Sequence, residues 1–293
     1  MVINDGSIDG TERIVKDYQV KDKRIVLINQ TNHGAGYAKS IGIRSCTGDY
    51  IAFCDSDDWY DKDYLQEHYK HIAAYDADIS QCRTFITTSV DTGNSDQLDI
   101  LDTDLVKKYV SYQSINVSMW DKLYKRNVLD TEEIFTDCRF AEDLYMNYVA
   151  SKRAKRIVKF DTTKYNWYVN PDSLSRSNFK PERLESDFAS WEKIIGDCAK
   201  NYPELEETAR LSSELWICGT YRAMVNSHYH NKELEKRIAT YIRQDGLQKT
   251  LNAEHNKANK RFIRLALISM PLARYTWYII RFGKNCAKKI LRR

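Results

Sequence analysis

Residues 48–60 read GDYIAFCDSDDWY. A turn glycine, Gly48, leads into Tyr50, Ile51, Ala52, Phe53 and Cys54, an apolar run with the β-branched and aromatic content of a buried strand. Directly after it come three carboxylates in four residues, Asp55, Asp57 and Asp58. Packed together without a counter-charge, they would raise one another's pKa values. A hard divalent cation resolves the conflict, since Mg²⁺ takes one or two protein carboxylates and leaves its other positions to phosphate and water. The segment taken alone also reads as an acidic turn in which Asp57 or Asp61 caps the next helix.

Upstream of this stretch the chain alternates. Val2-Ile3 is a strand end, Asn4–Gly10 a polar turn, and Thr11–Tyr18 has helical spacing through Ile14, Val15 and Tyr18. Arg24–Ile28 is a second strand, Asn32–Gly36 breaks it, and Tyr37–Cys46 resumes as helix. Strand, helix, strand, helix, strand within some fifty residues predicts an α/β fold with a mostly parallel sheet. Downstream the pattern predicts a helix over 61–75, a strand over 78–88, a polar loop over 89–101 and a short helix over 103–112. Val117–Tyr124 is strand-like at its start, a helix covers 144–151, and 156–160 and 165–169 are two further strands. From Pro181 the texture changes to long helical patterns over 182–200, 203–229, 231–251 and 260–292, so a boundary is expected near 178.

The bulk properties agree with a folded enzyme-sized chain. With 293 residues, 42% hydrophobic content and only 11 glycines and 4 prolines, it can bury a core and is not a disordered chain. Seven cysteines are scattered with no C-x-x-C pair, which reads as reduced thiols in a cytoplasmic protein. The net charge of +4 hides an asymmetry: after Glu254 there are eleven Lys and Arg and no acid, while the remainder carries 34 basic against 41 acidic residues. A mildly acidic body with a basic tail points to an anionic surface met by the tail. The acidic body and the lack of any recognised nucleic-acid module argue against nucleic acid as a partner.

Open α/β sheets bind ligands at the carboxyl ends of their strands, and three turns end there: Asn4–Gly10, Asn29–Gly36 and Asp55–Asp58. Asp5 either caps a helix or accepts a hydrogen bond from the imide N–H of a uracil ring. The glycine spacing fits neither a Walker A loop nor a dinucleotide fingerprint. Glu142-Asp143, at a later helix start, is either a cap or a general base for an alcohol nucleophile. Trp120, Tyr165 and Trp167 are core aromatics or, on the rim of a site, platforms for sugar rings.

Taken in order, NDGSIDG, N-H-G-x-G-x-A-K, GDYIAFCDSDDW, WDKLYKR, AED and YNWYVNPDSLS resemble the bacterial family 2 glycosyltransferases of GT-A fold, over about 1–178. The resemblance implies an inverting transfer of a sugar from a UDP-sugar donor, with Mg²⁺ or Mn²⁺ as cofactor. The acceptor would be a saccharide or a polyprenyl-linked saccharide in the synthesis of a surface polysaccharide such as a capsule. Residues 1–88 would form the nucleotide-sugar half, 89–178 the acceptor half, and 179–293 a helical C-terminal region. Carried over by motif, Asp5 would bind the base, Asp55 would sit by the ribose, and Asp57 would hold the metal. Gly6, Ser7, Asn32, Gly34 and Lys39 would complete the nucleotide site. Asp143 would be the catalytic base with Glu142 beside it, and Lys122 would lie near phosphate or acceptor.

Two departures accompany the resemblance. The family commonly has A-R-N where this chain has Ala38-Lys39-Ser40, and lysine lacks arginine's planar fork. Members also carry an earlier strand and helix, with a motif like S-V-I-I-P-x-Y-N, before the segment matching Met1–Gly10. The expectation is therefore a catalytic domain lacking its first strand, impaired in this form, with a nucleotide- or sugar-binding relative without turnover as the alternative.

In the tail, Leu265–Ala273 is the longest uncharged stretch, short of the ~20 residues a spanning helix needs. Its mixture of apolar, aromatic and basic residues predicts a helix lying on an anionic membrane, with the protein peripheral on the inner face. The competing reading is a C-terminal helix packed on the catalytic domain.

Overall fold

The structure is a computed structural model that describes residues 1–86, 95–136, 138–169, 179–242 and 257–279. Parts of the expected loop at 89–101, the boundary near 178, most of the closing YNWYVNPDSLS motif and the ends of the helices expected over 231–251 and 260–292 lie outside the described residues. The chain divides into two compact units, Met1–Ser177 with Ala189–Ile194, and Asn178–Phe188 with Ile195–Arg293.

The first unit opens with β1 (Val2–Asp5) and β2 (Leu27–Gln30), paired in parallel from Val2 opposite Leu27 to Asp5 opposite Gln30. Between them runs α1 (Thr11–Lys21), which has no buried residue, and after them comes α2 (Ala35–Ser45). This pair forms a sheet of its own. A second sheet of six strands follows the order β3 (Tyr50–Ala52), β7 (Lys122–Lys125), β5 (Ile79–Ile86), β8 (Ile157–Trp167), β4 (Trp59–Tyr60), with β6 (Leu98–Leu101) also on β8.

The α/β architecture is as the sequence predicts, but the sheet is mixed. Among the described residues only β1–β2 and β5–β8 are parallel; β3–β7, β5–β7, β4–β8 and β6–β8 are antiparallel. A parallel neighbour needs a long crossover, and short strands such as β4 and β6 join an edge without one. The two strands expected at 156–160 and 165–169 are one strand, β8, which stays in the sheet through register shifts opposite Gln81–Thr84. The strand expected to begin at Val117 begins instead at Lys122, because 116–121 form a loop wound around the Lys122 ammonium.

Helix α3 (Tyr64–Tyr75) buries Tyr64, His68 and Ile72. Helices α4 (Leu105–Val110) and α5 (Arg126–Leu129) precede α6 (Glu142–Arg153), which is buried from Leu144 to Ser151. Its first turn carries Glu142 and Asp143 and its last turn Lys152 and Arg153, the arrangement the helix dipole favours.

Beyond it lie α7 (Pro181–Asn201), α8 (Glu206–Asn226), α9 (Lys232–Tyr241) and α10 (Lys257–Ile268), followed by helical residues 270–279. In the second unit Phe188, Ile217, Tyr221, Met224, Phe262 and Met270 share a core. Buried Asp187 accepts hydrogen bonds from Trp216 Nε1 (2.7 Å) and Thr220 Oγ1 (2.5 Å). Tyr221 Oη donates to Met270 O and Tyr278 Oη to Val225 O, both at 2.9 Å, tying the last helical residues to α8. No helix among the described residues is long and apolar enough to cross a membrane.

Candidate active site

At the end of β1, Asp5 grips the turn that follows β2. Its Oδ1 accepts from Gln30 Nε2 (2.7 Å) and His33 N (2.9 Å), and its Oδ2 from Gly34 N (2.8 Å). A carboxylate offers about four lone-pair positions, so one remains for a ligand N–H. Gly6, at φ 76°, brings its backbone so near Asn32 that a Cβ would lie 2.8 Å from Asn32 N. Ser7 N donates to Asn4 Oδ1 (3.1 Å), which fixes the turn that leaves β1.

The start of α2 is pressed against Thr136, Cys138, Arg139 and Glu142. Gly34, at φ 95°, has Arg139 over it, and a Cβ there would sit 2.6 Å from Arg139 Cγ. Gly36 N donates to Cys138 O (3.2 Å), and Thr136 N to Ser40 Oγ (3.2 Å). This close approach brings Lys39 to the first turn of α6. Lys39 Nζ donates to Asp143 Oδ1 (2.5 Å) and Glu142 Oε1 (2.9 Å), and Asp55 Oδ1 is 4.0 Å away. Lys39 thus meets an acid pair more than a hundred positions away in sequence, and its side chain is only 14% exposed. Burial opposes its charge, but Asp143, Glu142 and Asp55 outweigh that and hold its pKa well above the ordinary lysine value. Burial raises Glu142. Burial also raises Asp55, to about 6, against the pull of Lys39; with 40% of its side chain exposed, solvent screens part of that shift.

Asp58 has a different job from its neighbours. Its Oδ2 accepts from Tyr165 Oη (2.7 Å) and its Oδ1 from Tyr168 N (2.8 Å), while Asp55 N donates to Tyr165 Oη (3.2 Å). One tyrosine hydroxyl therefore braces both ends of the acidic loop. Tyr165 is fully buried and stacked on Trp120, with ring centroids 4.5 Å apart. Of its two expected places, core or sugar-binding rim, Tyr165 takes the core, because a ring without accessible surface cannot offer a face to a sugar. Trp120 and Trp167 are each partly exposed.

The expected place of Lys122 is corrected. Its side chain is fully buried, and its ammonium donates to Asn116 O (3.0 Å), Ser118 O (2.5 Å) and Asp121 Oδ1 (2.6 Å). An ammonium has three protons; all are used inside the loop, so Lys122 shapes residues 116–121 and meets no phosphate. That loop matters to the site, since Met119 N donates to Asp143 Oδ2 (3.3 Å). Asn147 supports it in turn, donating to Val117 O and Ser118 O and accepting from Tyr124 Oη.

Among the described residues no three His, Cys, Asp or Glu side chains converge as a ready-made metal cage. Mg²⁺ needs only one or two carboxylates beside substrate phosphate. The donor set fits that: Asp57 lies on the same loop as Asp55, whose charge burial and nearby carboxylates disfavour and a cation would relieve. Asn147 and Arg139 were not legible as site residues, since their places come from contacts distant in sequence, with the 116–121 loop and with Gly34, that no local spacing encodes.

Residues 1–135 match the family model described as glycosyl transferase family 2. Over 188 residues the chain is 29% identical to the glycosyltransferase GlyA of Streptococcus pneumoniae, an alignment covering 60% of this chain and 27% of that protein. It is 27% identical over 202 residues to the putative glycosyltransferase EpsH of Bacillus subtilis, covering 66% of this chain and 58% of that one. The chain thus spans about a quarter and somewhat over half of these two relatives. The crystal structure of S. aureus TarS 1–349 in complex with UDP-GlcNAc has a similar fold, with TM-score 0.66 and 17% identity over 96% of this chain and 82% of that one. The complex of the same TarS segment with UDP is similar at TM-score 0.61 and 18% identity, over 96% and 81%.

Proposed function

We propose, from the match of residues 1–135 to the model of glycosyl transferase family 2, that the chain is a member of that family and transfers a hexose with inversion from a UDP-sugar to a saccharide or lipid-linked saccharide in surface polysaccharide synthesis. One observation carries the reading: Lys39 holds Asp143 of α6 and Asp55 of the acidic loop to a single ammonium. A candidate base and a candidate donor loop are then neighbours, as a single displacement requires. The TarS complexes with UDP-GlcNAc and UDP support the choice of donor.

In this mechanism Asp143 takes the proton of the acceptor hydroxyl as its oxygen bonds to C1 of the sugar. The bond from C1 to the diphosphate oxygen breaks on the opposite face, and UDP leaves with the electron pair. Met119 N and Lys39 hold the two oxygens of Asp143, which orients the carboxylate toward the acceptor. Asp5 takes the base edge with its remaining lone pair, and Asp55 takes the ribose. Asp57, with Asp55 beside it, would hold Mg²⁺ or Mn²⁺, which when bound offsets charge on the departing diphosphate.

The purified chain is expected to release UDP from a UDP-sugar in the presence of acceptor. Asp143→Asn is expected to cut kcat by about a hundredfold to ten-thousandfold with UDP binding retained. Equal turnover in Asp143→Asn would remove Asp143 as base, and binding of UDP without any turnover would favour the non-catalytic alternative.

The same reading includes an anionic membrane surface as partner. It is supported by the exposed side chains Ile268 (72%), Leu272 (43%), Tyr275 (68%) and Ile279 (58%), which recur at helical spacing. Exposed Arg261 and Arg264 continue that spacing, while Phe262, Ile263, Ala266, Met270 and Ala273 face the core.

A further inference from the structure

We propose that the two cations at the start of α2 divide the work: Arg139 meets the diphosphate of the donor, and Lys39 positions the acid pair of α6. The proposal rests on the transferase reading above and adds a residue that the motif comparison did not supply.

Three observations carry it. First, the turn before α2 does not present itself as a phosphate cradle. Its His33 and Gly34 N–H groups go to Asp5, and Gly36 N–H goes to Cys138 O. With these three N–H groups committed, a side chain is the better source of a charged donor. Second, Lys39 is poorly placed to do so. It is 14% exposed and bonded to Asp143 and Glu142. Drawing it away would leave two adjacent, largely buried carboxylates facing each other, which is costly at low dielectric. Third, Arg139 is exposed and has no hydrogen bond or ion pair among the described residues, although it lies directly over Gly34. It is three positions from Glu142, so a ligand seated between the turn and α6 comes within reach of its guanidinium. That planar fork with five N–H donors is the side-chain shape that grips phosphate oxygens in pairs.

The electrostatics point the same way. Asp55, Glu142 and Asp143 surround one ammonium, so the cluster is already short of positive charge before a diphosphate enters. Even with a divalent ion bound, an uncommitted cation at the rim lowers the cost of bringing in more negative charge.

Calorimetric titration of the full chain with UDP and with uridine, in wild type, Arg139→Gln, Arg139→Lys and Lys39→Met, tests the division. Arg139→Gln is expected to weaken UDP by about tenfold to a hundredfold and to leave uridine unchanged, with Arg139→Lys in between. Lys39→Met is expected to keep UDP affinity within about threefold while kcat falls by about a hundredfold or more, with thermal melts showing that each variant is folded. UDP affinity unchanged in Arg139→Gln overturns the proposal and leaves the transferase reading standing. Loss of UDP affinity in a folded Lys39→Met also overturns it, by making Lys39 the phosphate contact. Failure of wild type to bind UDP removes the donor reading, and this proposal with it.

Discussion

Gly34 is where a single methyl group would do most harm to the site. Its φ of 95° lies in a region that side chains avoid, and Arg139 fills the space where a Cβ would go. Gly34→Ala is expected to cost about 1–3 kcal/mol, read by urea denaturation, and to weaken UDP binding by moving the turn that Asp5 holds. At this scale the sequence was partly legible. Asp5, Gly34, Asp55 and Asp143 stand out locally as turn or helix-start residues, while the roles expected of them come from the family resemblance. That Lys39 bonds Asp143 was not, since a lysine after a glycine turn looks the same whether it meets phosphate or carboxylate. Lys122 differs from its expected place, and Tyr165 was left open between core and rim, for a related reason: nothing in W-D-K-L-Y or Y-N-W tells a buried side chain from a rim one.

Among the elements, the βα alternation up to β3 could be read from punctuation by Gly and Asp, and the first two strands pair as that pattern implies. The strand order β3-β7-β5-β8 could not. β7 pairs with strands far from it in sequence, and its four residues carry no pattern that names their partners. The last helical residues have a packed face and an exposed one. One face packs in the second unit through Phe262, Met270 and Trp277, while Ile268, Leu272, Tyr275 and Ile279 lie outward. Vesicles containing anionic lipid are expected to pellet the wild-type chain. Leu272→Glu with Tyr275→Glu should reduce pelleting about tenfold or more, since each removes apolar contact and adds repulsion. Equal pelleting of the two proteins, or equal pelleting by zwitterionic vesicles, would count against a membrane partner.

For the molecule as a whole, acid should be a selective stress. His68 of α3 is fully buried against β5, with Nδ1 2.7 Å from Ser80 Oγ and, among the described residues, no hydrogen-bond partner on Nε2. Burial, with smaller repulsion from His71 and Lys122, pushes it down to about 3 from an ordinary 6.5. The unfolded chain therefore takes up a proton that the folded chain refuses. The contribution of neutral His68 is present above about pH 6.5 and is lost as pH falls toward about 3. Wild type is expected to lose up to about 3 kcal/mol more than His68→Gln between about pH 6.5 and about pH 4.5, measured as the difference in their pH-stability slopes. Identical slopes would mean that His68 is protonated in the fold.

The stack of Trp120 on Tyr165, with Trp167 6.5 Å from Trp120, has a use beyond packing. Tyr165 holds Asp58 by its hydroxyl and accepts from Asp55 N, so two hydrogen bonds tie the ring stack to the acidic loop. Indole emission responds to small changes in ring contact and solvent access. On the donor reading proposed above, UDP is expected to change the tryptophan emission, and Trp120→Phe to remove most of that change against the background of the other five tryptophans.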